Sequence, residues 1–258
     1  MQVYGHRGAA GEAPENTLGG FRHAWARGAR CFELDVQLAA DEELVVVHDR
    51  KVDRTTQARG AVASFTSARL ARLDARRQAP PWPTREGIPR LRAVLRLLPR
   101  AEFWLIEVKT ADSAAERRLI AQRLRKLIAE LRIARKVVVI SADGEFLAVA
   151  REVMPTVARG YVSMSLDALE AADAYDCTHV IVNHVMCTPA LRLRAWRRNV
   201  AVVAWTVNAA AAIRTLHAMR LHGVVTDYPS MAVPLIGQLD SMSWLARARA
   251  PREEQDAP

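Results

Sequence analysis

The feature of this sequence that most constrains its fold is a regular alternation of short apolar segments with longer amphipathic ones. The short segments are typical of buried strands, and the longer ones carry apolar residues at helical spacing. Strands that are separated by helices run parallel, and eight of them can close into a barrel. The predicted strands are residues 2–5, 31–38, 103–108, 137–140, 158–162, 179–182, 200–206 and 224–226. We therefore expect an α/β protein with a (β/α)8, or TIM, barrel.

The helices between these strands begin at residues whose side chains can cap a helix. The first helix is predicted over about residues 16–27, with Asn16 and Thr17 as its caps. Ser113 and Asn208 are expected to begin two later helices in the same way. These caps mark where each strand-to-helix loop ends, and they support the alternation on which the barrel prediction rests.

One further apolar segment does not fit the alternation. Residues 44–48 follow the second strand too closely for a parallel crossover, so we expect them to turn back on that strand as a hairpin. Residues 49–87 hold no clear strand and are rich in arginine, alanine and proline, which predicts a small insertion after the second strand. We assign residues 1–245 to the barrel with its insertion, and residues 246–258 to a disordered tail.

Composition limits the classes of function open to this chain. Its 258 residues fit one large barrel domain, and its net charge is +9 with a pI near 10.2. The arginines are spread over many helices without interleaved aromatic residues for base stacking, so we expect a solvated basic surface and no nucleic-acid partner. No apolar segment is long enough to span a bilayer, and the first residues do not resemble a signal peptide, which predicts a cytoplasmic protein. The three cysteines show no zinc-binding spacing and are expected to be free thiols.

Three carboxylates are predicted to lie close together inside the barrel. Glu33 and Asp35 alternate with apolar residues on the second strand, and Glu107 and Lys109 do so on the third. Because helices cover the apolar faces, these polar side chains point into the barrel near its carboxyl end. Buried carboxylates are costly unless a cation compensates them, and an all-oxygen set suits Mg2+ or Ca2+ better than zinc. The alternative is an ion-pair network with Lys109 and nearby arginines.

Two histidines and an arginine are expected at the same end of the barrel. His6 and Arg7 follow the first strand, and His48 ends the extra strand. Because an imidazole titrates near neutral pH, two histidines beside a cation can act as general acid and general base. Arg7 and Lys109 supply positive charge where a phosphate can bind. Taken singly, each histidine has a structural role as its alternative, and each of the two cations can simply neutralise a carboxylate.

Seven segments occur in a characteristic order along the chain. They are HRGAAGEAPENT at 6–17, FELDV at 32–36, VVVHDRKVDRTT at 45–56, IPRLRAVL at 88–95, IEVK at 106–109, WTVN at 205–208 and GVVTDYP at 223–229. In this order they resemble the glycerophosphodiester phosphodiesterase family, over nearly the whole chain to about residue 229. The resemblance implies a (β/α)8 barrel with a small insertion after the second strand, in agreement with the strand count.

The resemblance also implies a role for each residue that matches a family motif. The implied metal ligands are Glu33, Asp35 and Glu107, the acid–base pair is His6 and His48, and the phosphate-binding cations are Arg7 and Lys109. The implied reaction is the hydrolysis of a glycerophosphodiester to sn-glycerol 3-phosphate and an alcohol, with one divalent cation, Mg2+ or Ca2+. Trp205 either lines the substrate pocket or packs at a strand end, and Asp227 is interpreted as holding a loop.

Two other functions remain open on the sequence. A lysophospholipase D-like or sphingomyelinase D-like phosphodiesterase would share the barrel and a similar constellation, but it would need an apolar surface beside the site. The insertion has scattered apolar residues, which favours a small soluble substrate; these are Phe65, Leu70, Leu73 and Trp82. A catalytically silent barrel that binds anions or nucleic acid would lack one or more catalytic residues, whereas all seven implied residues are present here.

Overall fold

The strands form where the apolar segments predict them. The computed structural model describes residues 1–109, 111–165 and 167–249. Within these residues the strands are β1 (Gln2–Gly5), β2 (Cys31–Leu38), β3 (Leu44–Val46), β4 (Phe103–Val108), β5 (Val137–Ser141), β6 (Ala158–Ser163), β7 (His179–Asn183), β8 (Ala201–Trp205) and β9 (Gly223–Thr226). Every strand but β3 is paired in parallel with its neighbours, and β1 pairs with both β2 and β9. Eight strands therefore close into the predicted barrel.

Helices cover the outside of this barrel. In the described part of the chain they are α1 (Leu18–Ala26), α2 (Ser67–Leu70), α3 (Leu91–Leu97), α4 (Ala114–Leu131), α5 (Gly144–Val153), α6 (Ala168–Ala174), α7 (Pro189–Arg197), α8 (Ala210–Ala218) and α9 (Pro229–Arg249). Ser113 caps α4 as predicted, because its hydroxyl accepts from the backbone N–H of Glu116 at 3.1 Å. Among the described residues, no helix is both long and apolar enough to cross a membrane.

Two of the predicted helix caps are wrong. Thr17 alone caps α1, with its hydroxyl 3.1 Å from the backbone nitrogen of Gly20, whereas Asn16 has a φ of 56° and is buried. The residue that precedes α8 is Ala209 rather than Asn208, and it makes no side-chain cap. In both places the asparagine bonds an aspartate at the carboxyl end of the barrel instead.

The hydrophobic core has one layer outside the barrel and one inside it. In the outer layer Phe21 of α1 packs on Phe32 and Trp104, with ring centroids 6.0 and 6.1 Å away. The inner layer is apolar and is formed by the inward residues Tyr4, Cys31, Leu105, Val138, Ile140, Ile181, Val203 and Val225. Above this layer, the register of β2 and β4 sets Asp35 directly beside Glu107. The inner layer therefore closes the lower barrel and leaves polar groups at its carboxyl end.

The chain after β2 forms the predicted hairpin and insertion. β3 pairs antiparallel with β2. The insertion contains α2 and a bridge between Lys51 and Ala61. An apolar cluster joins it to the hairpin, and this cluster includes Val45, Val52, Val62, Phe65, Leu70 and Ile88. The predicted tail begins at position 246 within α9, and its residues 250–258 lie outside the described ones.

Candidate active site

A pocket of about 410 Å³ opens at the carboxyl end of the barrel, where barrel enzymes carry their active sites. Seven of the eight predicted site residues line it, namely His6, Arg7, Glu33, His48, Glu107, Lys109 and Trp205. The eighth, Asp35, is 1% exposed and contacts both Arg7 and Lys109. The apolar part of the wall comes from Ile140, Val162, Ile181 and Val225. The structure therefore brings all eight residues together.

Glu33, Asp35 and Glu107 form an acidic cluster in the barrel, with one carboxylate oxygen from each within 4.8 Å of the others. Burial and the charge of Asp35 raise the pKa of Glu33 to about 8. Burial also opposes the charge on Asp35, but the neighbouring Lys109 and Arg7 outweigh it and hold the pKa of Asp35 well below its usual range. Burial, together with the charge of Asp35, raises the pKa of Glu107. The cluster thus holds more negative charge than its surroundings readily accept, which a divalent cation would offset.

The oxygen atoms of this cluster fit a hard cation. Glu33 Oε1 is buried and has no hydrogen-bond partner among the described residues. The same holds for Asn16 Oδ1, whose amide nitrogen donates to Asp35 Oδ2 at 2.8 Å. Buried polar atoms normally have partners, and carboxylate and amide oxygens are ligands that Mg2+ and Ca2+ prefer. Ion pairs with Lys109 are present as well, since its Nζ lies 2.7 Å from Asp35 and 2.6 Å from Glu107.

Arg7 is held beside the acidic cluster by the turn that follows β1. Its backbone N–H donates to Glu33 Oε2 at 3.1 Å, and its Nε lies 3.2 Å from Asp35 Oδ2. Arg7 has a φ of 50° and Gly8 a φ of 89°. A Cβ at Gly8 would lie 2.9 Å from the backbone of Gly20, so the turn requires glycine there. The sequence HRG thus places one guanidinium at the pocket wall.

Each of the two histidines is held by an aspartate through its Nδ1 atom. His6 Nδ1 lies 2.6 Å from Asp227 Oδ1, and His48 Nδ1 lies 2.6 Å from Asp49 Oδ1. Since Nδ1 is engaged, Nε2 is the nitrogen left for chemistry in the pocket. Burial lowers the pKa of His6, but the hydrogen bond that its Nδ1–H donates to Asp227 and the charge of Glu33 outweigh burial and raise it. The Nε2 atoms of these two side chains are therefore available to a bound molecule.

The role of Asp227 was missed by reasoning from the sequence, which predicts only that it holds a loop. The structure shows that it also anchors His6. Asn208 fixes Asp227 in turn, because its amide nitrogen donates to Asp227 Oδ2 at 2.6 Å and its Oδ1 accepts from the Asp227 backbone at 2.9 Å. The available signal was positional, since the segments WTVN and GVVTDYP both end barrel strands at this rim.

Comparison with known proteins decides the family. Residues 6–231 match the glycerophosphoryl diester phosphodiesterase family. The chain belongs to this family. YhdW of Bacillus subtilis (strain 168) is 32% identical over 90% of this chain and 97% of its own length. A glycerophosphodiester phosphodiesterase of Bacillus altitudinis is 29% identical over 91% of this chain and 97% of its own. Family membership makes the chain an enzyme, a phosphodiesterase, as the sequence motifs predicted.

Solved structures show the same barrel. A crystal structure from Silicibacter pomeroyi DSS-3 has a TM-score of 0.85 at 27% identity and covers 93% of this chain and 94% of its own. The phosphodiesterase OLEI02445 of Oleispira antarctica, whose structure contains the product sn-glycerol-3-phosphate, has a TM-score of 0.80 at 23% identity, with 92% and 97% covered. These likenesses confirm the (β/α)8 fold of this member of the phosphodiesterase family.

Proposed function

We propose that this chain hydrolyses glycerophosphodiesters to sn-glycerol 3-phosphate and an alcohol, with one bound divalent cation. One observation carries the proposal: two aspartate-held histidines and two basic side chains line a pocket beside three converging carboxylates. The product bound to the Oleispira antarctica relative, sn-glycerol-3-phosphate, supports this choice of product.

Glu33, Asp35 and Glu107 would hold the cation, and their all-oxygen donor set suits Mg2+ or Ca2+. When bound, such a cation supplies positive charge that offsets the charge growing on the phosphoryl oxygens during reaction. The raised pKa of Glu33 supports this assignment, because a nearby divalent charge would keep its buried carboxylate ionised at neutral pH.

Arg7 and Lys109 are proposed to hold the phosphate. Both line the pocket, and both already lie beside Asp35. A planar guanidinium can bind two phosphate oxygens at once, while an ammonium acts as a point charge. Their two charges add to the stabilisation of the transition state, and they orient the phosphorus between the two histidines.

His6 and His48 are proposed to move the protons. One accepts a proton from the attacking oxygen as its bond to phosphorus forms, and the other donates a proton to the departing alcohol as the phosphorus–oxygen bond breaks. Asp227 and Asp49 hold each ring by Nδ1, so that Nε2 carries the transferred proton. The attacking oxygen is either that of water, which gives sn-glycerol 3-phosphate directly, or the adjacent glycerol hydroxyl of the substrate, which gives a cyclic phosphate that water then opens. Trp205, whose Nε1 donates to the Ile181 carbonyl at 3.2 Å, is proposed as a rigid wall against the substrate.

The decisive experiment measures glycerol 3-phosphate release from glycerophosphocholine by the purified protein. Release should stop in EDTA and return when Mg2+ or Ca2+ is added in excess. The same assay on a panel of headgroups would identify the preferred alcohol. Release that continues unchanged in EDTA would contradict the role of the cation, and no release from any headgroup would contradict the choice of substrate.

A lysophospholipase D-like reaction is the second candidate, and one structural observation favours it. Met164 follows β6 and Val185 follows β7, and these two residues are 70% and 72% exposed. Val162 of β6 and Ile181 of β7 line the pocket, so the two exposed residues follow strands that form its wall. These two side chains offer an apolar contact for an acyl chain. If the preferred substrate is a lipid, lysophosphatidylcholine is cleaved faster than glycerophosphocholine, and changing Met164 and Val185 to serine slows only the lipid reaction. Equal effects on both substrates would reject this candidate.

We also retain three predictions about the whole protein. Residues 1–245 form one barrel unit, the protein acts in the cytoplasm, and its basic surface does not bind nucleic acid. A gel-shift experiment at physiological salt checks the last of these, because tight and sequence-tolerant binding would contradict it.

A further inference from the structure

Arg54 lies in the insertion, outside the pocket wall, and it contacts two acidic side chains from different parts of the chain. Its Nη1 and Nη2 each lie 2.7 Å from an oxygen of Glu15, in a bidentate pair. Its Nε donates to Asp49 Oδ2 at 2.5 Å. Because a guanidinium is planar and carries donors on two edges, these three bonds fix the two carboxylates relative to each other.

Glu15 connects Arg54 to Arg7, the proposed phosphate-binding residue. Glu15 Oε1 also accepts from Arg7 Nη1 at 3.0 Å. Burial opposes the charge on Glu15, but Arg54 and Arg7 outweigh it, so the pKa of Glu15 is lowered and the carboxylate stays ionised between two arginines. Arg7 then reaches Asp35 with its Nε at 3.2 Å. Glu15 thus sets the position of the Arg7 guanidinium at the pocket.

Asp49 connects Arg54 to His48, one of the two proposed acid–base residues. Asp49 uses Oδ2 for Arg54 and Oδ1 for His48 Nδ1, which is 2.6 Å away. His48 is about one-third exposed, and its backbone carbonyl is held by Gln37 at 2.8 Å. Asp49 is similarly exposed, so without Arg54 little else would fix the direction of its carboxylate. The orientation of the His48 ring therefore depends on Arg54.

We propose that Arg54 is a positioning residue that fixes the positions of Arg7 and His48 relative to each other, through Glu15 and Asp49. The inference rests on the proposed function, because it takes Arg7 as a phosphate-binding residue and His48 as an acid or base. Arg54 itself does not touch substrate. It couples the residue that holds the phosphate to the residue that moves a proton, across the boundary between the barrel and the insertion.

The two sides of the contact predict different kinetic effects. Glu15→Gln weakens the hold on Arg7, so it should raise KM and weaken the binding of sn-glycerol 3-phosphate. Asp49→Asn loosens His48, so it should lower kcat with little change in KM. Arg54→Ala should do both, with a fall in kcat/KM of about 10- to 100-fold, the usual span for groups that orient residues at such a centre.

The experiment compares these variants with Arg54→Lys and with a control from the same insertion. Arg76→Ala is the matched control, because Arg76 makes a bidentate pair with Asp74 at N–O distances of 2.8 and 2.7 Å. Neither residue lines the pocket. Kinetics are measured at saturating cation, product binding by calorimetry, and folding by thermal denaturation. Arg54→Lys keeps the charge but loses the planar guanidinium that bonds Glu15 and Asp49 at once. It should therefore remain folded and have more activity than Arg54→Ala but less than the wild type. Added guanidinium should restore part of the activity of Arg54→Ala.

The outcomes separate this inference from the proposed function. If the wild type releases no glycerol 3-phosphate, the proposed function itself is wrong. If the wild type is active and His48→Ala keeps its rate, the proposed role of His48 is wrong and the inference falls with it. If the wild type is active and His48→Ala is not, but the folded Arg54 variants behave like Arg76→Ala, the inference alone is overturned. A loss of activity in Arg54→Lys that follows its thermal stability, without a change in kcat or KM for the folded fraction, would also overturn it.

Discussion

Replacing Glu33 by glutamine is expected to stabilise the metal-free protein while it destroys the proposed metal site. Glu33 is 3% exposed, lies beside Asp35, and has one oxygen without a hydrogen-bond partner among the described residues. Glutamine has nearly the same shape, and its side-chain oxygen can still accept the Arg7 backbone N–H that Glu33 accepts at 3.1 Å. The change therefore removes a buried ionisable group without opening a cavity.

The size and sign of the effect follow from the pKa of Glu33, which is about 8 in the folded metal-free protein against an ordinary 4.5. Below pH 4.5 the carboxyl is protonated in both states, so folding bears no cost. Between pH 4.5 and about 8 the unfolded chain loses the proton and the folded chain keeps it, so stability falls by about 1.4 kcal/mol per pH unit. The cost is on the order of 4 kcal/mol at pH 7.5, and below about 1 kcal/mol at pH 5.

Urea denaturation in EDTA measures this difference. At pH 7.5 Glu33→Gln should be more stable than the wild type by on the order of 2–4 kcal/mol, because the wild type must bind a proton at Glu33 to fold at this pH and glutamine need not. At pH 5 the difference should nearly vanish. Cation at a hundred times Kd should reduce this difference, because binding stabilises the wild type by about 2.7 kcal/mol. The variant, which lacks one ligand, should gain far less and should not release glycerol 3-phosphate.

Glu145→Gln is the control, because Glu145 is exposed on α5 and lies away from the pocket. It should leave the stability in EDTA and the response to cation unchanged. Equal stability of Glu33→Gln and the wild type in EDTA at pH 7.5 would refute the reasoning, since it would mean that the buried carboxyl does not oppose folding. A full response of Glu33→Gln to cation would remove Glu33 from the metal site.

Three further predictions concern His6, its partner Asp227 and the cap of α1. His6→Ala should lower kcat on the order of a hundredfold or more, and Asp227→Asn by about 10- to 100-fold, both measured by glycerol 3-phosphate release. A loss of only a few fold in His6→Ala would assign that histidine a structural role. Thr17→Ala should lower the free energy of unfolding by about 1 kcal/mol in urea, because it removes the cap of α1, and should leave kcat unchanged. An unchanged unfolding midpoint would contradict that role of the cap.

The barrel, the hairpin and the acidic cluster were predictable because local patterns determine them. The alternation of strands and helices leaves few arrangements other than a parallel barrel, and the short connection before β3 requires an antiparallel pair. The period of two along β2 and β4 places Glu33, Asp35 and Glu107 on the inward face. The strand register, which brings Asp35 beside Glu107, then follows from closing the barrel.

The hydrogen-bond partners of the site were not predictable in the same way. Asn16 and Asn208 stand where asparagine commonly caps a helix, and that local preference gave the wrong assignment. In the structure their side chains bond Asp35 and Asp227, because a carboxylate left without a partner costs more than a helix that begins without an asparagine cap. Asp227 lies 221 positions from His6 in the sequence, and no local pattern indicates that contact.

The two histidines are both proposed to transfer protons, but they are supported by different parts of the fold. Asp227, which holds His6, follows β9, the strand that closes the barrel against β1. Asp49, which holds His48, begins the insertion and is fixed by Arg54 within it. A change that loosens the insertion should therefore disturb His48 and leave His6 in place. Under the proposed function the insertion is for this reason part of the catalytic apparatus: it supports one of the two proposed proton-transfer groups, while the barrel supports the other.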